Sequence, residues 1–273
     1  MRRGLFYLVT ILSSLLSLSF ASSSEQIALG EEEDRSLSDY TCPDHRYTVH
    51  LFSHDPLVIY IPEFITEEEA AHLVAVSKDR FTHSEVIDNA SGAKANSTVR
   101  RSRSTVPPRD AVIRCIEDRA LAFQGPDIPR SHLEPLQLVT YSAGETYRHH
   151  TDWFEQPAHT ADEFGGNRLT SFFVYVAASE DLTGGGTNFP LLDAPEDTTE
   201  RWCRYVNCDE PWENGVTFRP VPRNAVFWRN LRGDGSGDPR TLHAGLPVTS
   251  GTKMGMNIWT RERALSPVYR GED

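Results

Sequence analysis

From Glu134 to Arg263 the sequence consists of short β-rich runs broken by glycine and proline, and this pattern narrows the possible folds more than any other feature. Leu136, Leu138 and Thr140 alternate with Gln137, Val139 and Tyr141, the period-2 pattern of a strand. Leu169–Ala177 is long, aromatic and β-branched, as in a strand buried on both faces. Ala225–Leu231, Thr241–Val248 and Lys253–Arg261 read as further strands, and Thr183–Gly186 as a turn. Upstream lie one β-rich run, Pro56–Phe64, and two helical patterns. The first follows Thr66-Glu67-Glu68-Glu69, a capping box, and places Ala70, Leu73, Val74 and Ser77 along one face. The second, Asp110–Phe123, groups Val112, Cys115, Ile116, Arg119 and Phe123 and is stopped by Gln124-Gly125-Pro126. Two helices followed by many short strands predict a mainly β (α+β) fold: a double-stranded β-helix, or jelly roll, with the N-terminal helices packed on one sheet.

The chain has 273 residues, enough to bury a large core. Residues 1–21 read as a signal peptide, or a signal anchor: Arg2 and Arg3 precede an uncharged apolar run, and Ser19-Phe20-Ala21 is a small-x-small cleavage pattern. The run is short for a bilayer span and interrupted by hydroxyl residues. Residues 22–54 lack periodicity and read as a flexible segment, 55–133 as the strand-and-helix part of a catalytic domain, 134–263 as its core, and 264–273 as a tail. Asp88–Pro108 is polar and basic with no visible core element.

The β-rich core contains Tyr141–Phe154, YSAGETYRHHTDWF. Residues i and i+2 of a strand share a face, so His150 and Asp152 can grip one ion together. His149 points the other way and reads as a solvent residue or one that supports a ligand from behind; His159, in an irregular polar loop, reads as surface. The best third ligand is His243, in RTLHAGLP. Two histidines and one carboxylate with open positions form the facial triad of non-heme Fe(II) oxygenases. Lys253 follows ten residues later, at a spacing suited to a hairpin beside His243, and can pair with the distal carboxylate of 2-oxoglutarate. Lys253, Gly255, Asn257, Trp259 and Arg261 share one face of the return strand. Gly255 would leave room beside the lysine stem, Trp259 would face the cosubstrate, and Arg261 would be a reserve cation.

Tyr141-x-x-Gly144-x-x-Tyr147-x-x-His150-x-Asp152, then GGGTNFP (Gly184–Pro190), then His243 and Lys253, resembles the prolyl 4-hydroxylase branch of the 2-oxoglutarate/Fe(II) dioxygenases, over roughly Pro56–Arg263. The resemblance implies Fe(II), 2-oxoglutarate, O2 and L-ascorbate as cofactors and cosubstrates, and hydroxylation of peptidyl proline at C4. It adds Tyr141 and Thr187 to the 2-oxoglutarate site, assigns no catalytic residue beyond the iron site, and lets Asp88–Pro108 fold over the substrate; the other reading of that segment is a glycosylated surface loop. Gly186 stands where the family usually has an acidic residue. Arg168 and Trp228 fit family positions without a derivable chemistry. Two alternatives stand beside this reading: the same chemistry on a free amino acid or secreted small molecule, and a non-catalytic secreted jelly-roll binding protein.

The N-terminal signal directs the chain to the secretory pathway, either the endoplasmic reticulum lumen or membrane or the exterior; Arg270-Gly271-Glu272-Asp273 is no retrieval tetrapeptide. Disulfides are permitted there. Cys203 and Cys208 could close a small loop and Cys42 could tie to Cys115, but spacing does not fix the pairing, and a zinc site at Cys203 and Cys208 lacks a partner pair. Asn89 and Asn96 begin N-glycosylation tripeptides. A formal net charge of −12 argues against a nucleic-acid partner. Oligomeric state is not encoded in any motif.

Overall fold

The computed structural model describes residues 40–84, 86–87, 94–95, 100–195 and 200–271. The expected signal segment and both glycosylation acceptors, Asn89 and Asn96, lie outside them. In chain order the strands are β1 (His50–His54), β2 (Leu57–Ile61), β3 (Thr82–His83), β4 (Val86–Ile87), β5 (Lys94–Ala95), β6 (Arg100–Arg101), β7 (Arg103–Thr105), β8 (Gln137–Ser142), β9 (Thr146–His150), β10 (Arg168–Ala178), β11 (Thr183–Gly184), β12 (Thr187–Phe189), β13 (Val216–Phe218), β14 (Ala225–Arg229), β15 (His243–Gly245), β16 (Val248–Ser250) and β17 (Thr252–Arg261). The helices are α1 (Glu67–Ser77), α2 (Ala111–Gln124) and the single turns α3 (Glu200–Cys203) and α4 (Pro267–Arg270).

Two antiparallel sheets carry the fold. The major sheet runs β1-β2-β14-β10-β17-β8-β7-β3 and the minor sheet β13-β12-β15-β9-β6. Alternation along β10 shows how they are filled. Phe172 faces outward onto Phe64, Phe123 and Phe227, with ring centroids 5.3, 5.4 and 4.7 Å away. Phe173 and Tyr175 face inward and join Val139, Tyr141, Phe189, Phe218 and Trp228 between the sheets. The two N-terminal helices, α1 and α2, therefore cover one face of the major sheet, and the other face forms the interior of the jelly roll, as expected.

The capping box at α1 is formed: Thr66 Oγ1 accepts from Glu69 N at 3.0 Å and the Glu69 carboxylate accepts from Thr66 N at 2.8 Å. Glu69, rather than Val74, joins Ala70, Leu73 and Ser77 on the buried face, because its carboxylate also meets Arg119 of α2 at 2.6 and 2.8 Å. In α2, Glu117 is fully buried beneath Arg109, Arg130 and Arg270. The cysteines pair as Cys42–Cys115 and Cys203–Cys208.

Two expectations are corrected here. Residues 50–54 belong to the major sheet as β1, and Cys42 is tied to α2, so the segment expected to be flexible up to residue 54 is structured from at least Cys42. Arg100–Thr105 also forms strands: Arg100 and Ser102 point in, and Arg101 and Arg103 point out. That alternation escaped a hydrophobicity reading because every residue in it is polar.

Candidate metal centre

His243 and His150 are directly opposed partners on β15 and β9. Cross-strand partners hold their side chains about 5 Å apart, and the two imidazole centroids lie 4.3 Å apart. Strand β9 ends at His150, so Asp152 sits just past the strand and not within it. The chain turns there, and Asp152 still reaches the histidines. His150 Nε2 is 3.9 Å from Oδ1 and His243 Nε2 is 4.0 Å from Oδ2. One ligand atom from each of the three lies within 4.8 Å of the others.

The hydrogen bonds select which atoms face the centre. His150 Nδ1 donates to the Arg148 carbonyl at 2.8 Å and His243 Nδ1 donates to the Thr241 carbonyl at 2.9 Å. Each Nε2 is thereby turned toward Asp152, the orientation that metal-bound histidines adopt. Burial and the adjacent His243 hold His150 well below its usual value, hence neutral. Asp152 Oδ2 accepts from Ser171 Oγ at 2.7 Å and Trp259 Nε1 at 3.0 Å. Oδ1 accepts no hydrogen bond among the described residues; Arg168 Nη1 lies 4.0 Å away and His150 Nε2 3.9 Å. Burial alone would raise the Asp152 pKa; His243, Arg168, His150 and the Ser171 hydroxyl more than reverse this and hold it at about 2. An ionised carboxylate and two imidazoles that turn Nε2 toward it fit a divalent ion with octahedral preferences, Fe(II) among them.

Lys253 lies in the same interior by a different route from the one expected. It does not run back along β15. Strand β17 crosses to the major sheet, where Lys253 pairs with Tyr141 on β8 and Ala178 on β10, while β16 pairs with β11. The lysine is 2% exposed. Its ammonium donates to the Gly185 carbonyl and lies 4.8 Å from the Tyr141 ring centroid and 5.7 Å from that of Phe173. No carboxylate pairs with it among the described residues, and burial lowers its pKa from 10.5 to about 7. A buried cation left without an anion fits the distal carboxylate of 2-oxoglutarate.

The glycine that admits the lysine is Gly185, not Gly255. A Cβ on Gly185 would lie 3.2 Å from Lys253 Cδ. A Cβ on Gly255 would fall 2.4 Å from the Phe173 ring, so the space expected there is filled. At Gly186 a Cβ would meet Thr217 Cγ2 at 2.6 Å; the acidic side chain usual in the family has no room.

Thr187 is buried and its Oγ1 accepts from the Tyr175 hydroxyl at 2.8 Å, which leaves its own proton to donate. Tyr141 is buried, and burial raises its pKa against the lowering effect of Arg100 and Ser102. Trp259 lies against Asp152, with the Arg168 guanidinium stacked 3.6 Å over its ring. Arg261 does not serve as a reserve cation: it pairs with Glu134 at 2.5 Å and donates to the His159 and Gly166 carbonyls. His149 is exposed and reaches Asn188 Oδ1 at 3.2 Å. The sequence reading missed Ser171, a small polar residue inside an apolar strand, and the role of Tyr147, whose ring stacks on His150 at 3.5 Å with Arg100 4.7 Å above it.

A model of the 2OG-Fe(II) oxygenase superfamily matches residues 136–261. Prolyl 4-hydroxylase 5 of Arabidopsis thaliana is 32% identical over 213 residues, spanning 77% of this chain and 70% of the relative. Prolyl 4-hydroxylase 1 of the same plant is 30% identical over 222 residues, spanning 78% and 72%. Among solved structures, the viral collagen prolyl hydroxylase of Paramecium Bursaria Chlorella virus-1, in complex with 2OG, superposes with a TM-score of 0.52 at 22% identity, over 81% of this chain and 98% of that one. That likeness concerns the fold.

Proposed function

The chain belongs to the prolyl 4-hydroxylase branch of the 2-oxoglutarate/Fe(II) oxygenases, and from that premise we propose that it hydroxylates C4 of proline within a peptide. Fe(II) with 2-oxoglutarate and O2 supplies the oxidising chemistry, one oxygen atom entering an unactivated C–H bond and the other entering succinate as CO2 is lost.

The protein's part is to hold and exclude. His150, Asp152 and His243 are assigned to the ion, with both Nε2 atoms and Asp152 Oδ1 as donors. Lys253 takes the distal carboxylate of 2-oxoglutarate, Thr187 donates its free hydroxyl proton beside it, and Tyr141 closes the wall. Trp259 belongs to this site through Asp152. The Phe173 ring centroid lies 5.7 Å from the ammonium and Val248 borders Gly185 beside the lysine stem, and both residues are buried; a dry, preorganised site strengthens each of these contacts. L-Ascorbate would restore iron oxidised in turnover without substrate. Entry into the secretory pathway, glycosylation at Asn89 and Asn96, and a place in or beyond the endoplasmic reticulum belong to the same proposal and agree with the two disulfides.

The observation that carries the reading is the buried Lys253 ammonium, with no carboxylate partner among the described residues, in the same interior as the His-Asp-His cluster. The test is incubation with Fe(II), 2-oxoglutarate, ascorbate and proline-rich peptides, measuring succinate and peptide mass. Stoichiometric succinate and a hydroxylated proline are expected. Succinate with unmodified peptide but an oxidised small molecule removes the peptide substrate. No succinate from metal-loaded protein removes the enzyme.

A further inference from the structure

Three inward-facing residues form a row across three neighbouring strands of the major sheet. Ser171 on β10 is the direct partner of Trp259 on β17 and of Trp228 on β14. Asn230, the residue after β14 ends, completes the group. Ser171 and Asn230 are fully buried and Trp228 is 1% exposed. Trp228 Nε1 donates to Asn230 Oδ1 at 2.8 Å, Asn230 Nδ2 donates to Ser171 Oγ at 2.8 Å, and Ser171 Oγ donates to Asp152 Oδ2 at 2.7 Å.

The polarity of this chain is dictated at both ends. An indole N–H can only donate, and an ionised carboxylate can only accept. Asn230 must therefore turn its carbonyl to Trp228 and its amide N–H to Ser171. The serine, receiving that bond, must spend its single proton on Asp152. Reversing any link strands a donor or an acceptor in the interior, at a cost of about 1–3 kcal/mol.

The same residues reach the other ligand arm. The Trp228 ring packs edge-on against His243, centroids 4.7 Å apart. The Asn230 carbonyl accepts from Asp238 N at 2.8 Å. Asp238 caps the turn Pro239–Thr241, whose Thr241 carbonyl receives His243 Nδ1. Asn230 is thus bonded by its side chain toward Asp152 and by its backbone to the turn that delivers His243.

We infer that Trp228, Asn230 and Ser171 are positioning residues for the iron site: their one-way hydrogen-bond relay, with Trp259, occupies Asp152 Oδ2 and reserves Oδ1 for the ion. The inference rests on the metal-site reading above. It gives Trp228 a role that its place in the sequence did not reveal.

The test is Co(II) titration of the full chain, followed by d–d absorbance, with no turnover required. Wild type and Asp152→Ala are compared first; equal binding by the two would refute the metal site itself, and is distinguishable from failure of the relay. Ser171→Ala is expected to weaken Co(II) binding roughly 10- to 100-fold and to alter the d–d spectrum. Trp228→Phe keeps an aromatic ring at this position and removes the N–H together with part of the indole; a loss of roughly three- to tenfold is expected. If Ser171→Ala does not fold, Trp228→Phe decides alone. Lower melting temperature with unchanged Co(II) affinity and spectrum in Trp228→Phe overturns the relay, because a purely structural role predicts that result.

Discussion

Replacing Lys253 with methionine gives the sharpest test of the cosubstrate pocket. Methionine keeps an unbranched stem of similar length and removes the charge. The gap between the ordinary lysine value of 10.5 and about 7 corresponds to a penalty on the order of 5 kcal/mol for keeping the ammonium charged in its site. The protein without cosubstrate bears that cost, and a carboxylate entering the pocket offsets it. Lys253→Met should therefore weaken 2-oxoglutarate binding by about 3–5 kcal/mol, roughly 10²- to 10⁴-fold, while raising the melting temperature of the unliganded protein. Calorimetric titration of the Co(II)-loaded protein with 2-oxoglutarate measures the first effect, and a thermal melt the second. Wild-type affinity in the variant would refute the assignment of Lys253 to the distal carboxylate.

The same burial gives the pH dependence a definite sign. In the folded, unliganded protein the lysine pKa lies below its unfolded value. Between about 7 and 10.5 the unfolded chain binds more protons, so stability rises with pH through that window and the penalty is complete below about 7. Cosubstrate binding needs the ammonium, and its carboxylate holds the proton on. Affinity should thus fall about tenfold from pH 6 to pH 8, with uptake of about half a proton at pH 7. Titrations in two buffers of different ionisation enthalpy measure that uptake. Lys253→Met should abolish it; an identical pH profile in both proteins would assign the dependence to other groups.

Other perturbations give separate outcomes. Asp152→Ala should remove Co(II) binding and turnover with near-ultraviolet circular dichroism intact, since its carboxylate is one ligand of three. Gly255→Ala drives a methyl to within 2.4 Å of the Phe173 ring and should destabilise by about 1–3 kcal/mol in urea unfolding. Glu117→Gln leaves Arg109, Arg130 and Arg270 around a neutral group; a loss of at least about 3 kcal/mol is expected, and a loss below 1 kcal/mol would count against the cluster as a buried tie.

The parts of the fold legible in the sequence were those where chemistry and period coincide. The capping box at Thr66 formed as written because it depends on four adjacent residues. The site residues His150, Asp152 and His243 came together because β9 and β15 place the two histidines opposite each other. What failed was partner choice between strands. The ten residues from His243 to Lys253 look like one hairpin, yet the chain passes through β16 and changes sheets. Sequence separation limits reach and leaves the partner strand open. Arg100–Thr105 was hidden because its inward positions are polar, occupied by Arg100 beside Tyr147 and by Ser102.

The sheet change matters to how the centre is built. The three ligands come from the minor sheet and the residue just beyond it. Ser171, Trp228 and Trp259 all come from the major sheet, as does Lys253. Neither sheet alone can fix the site: one brings the donor atoms, and the other sets which carboxylate oxygen is available and where a distal anion must lie. Since interiors pack at near-crystalline density, a change in the spacing of the sheets is felt at Asp152 Oδ2, the atom that receives hydrogen bonds from the major sheet. Aromatic packing between the sheets, Phe189 against Trp228 at 5.3 Å and both rings against His243, is therefore part of what sets metal affinity. Trimming Phe189 should weaken ion binding although it offers no ligand atom.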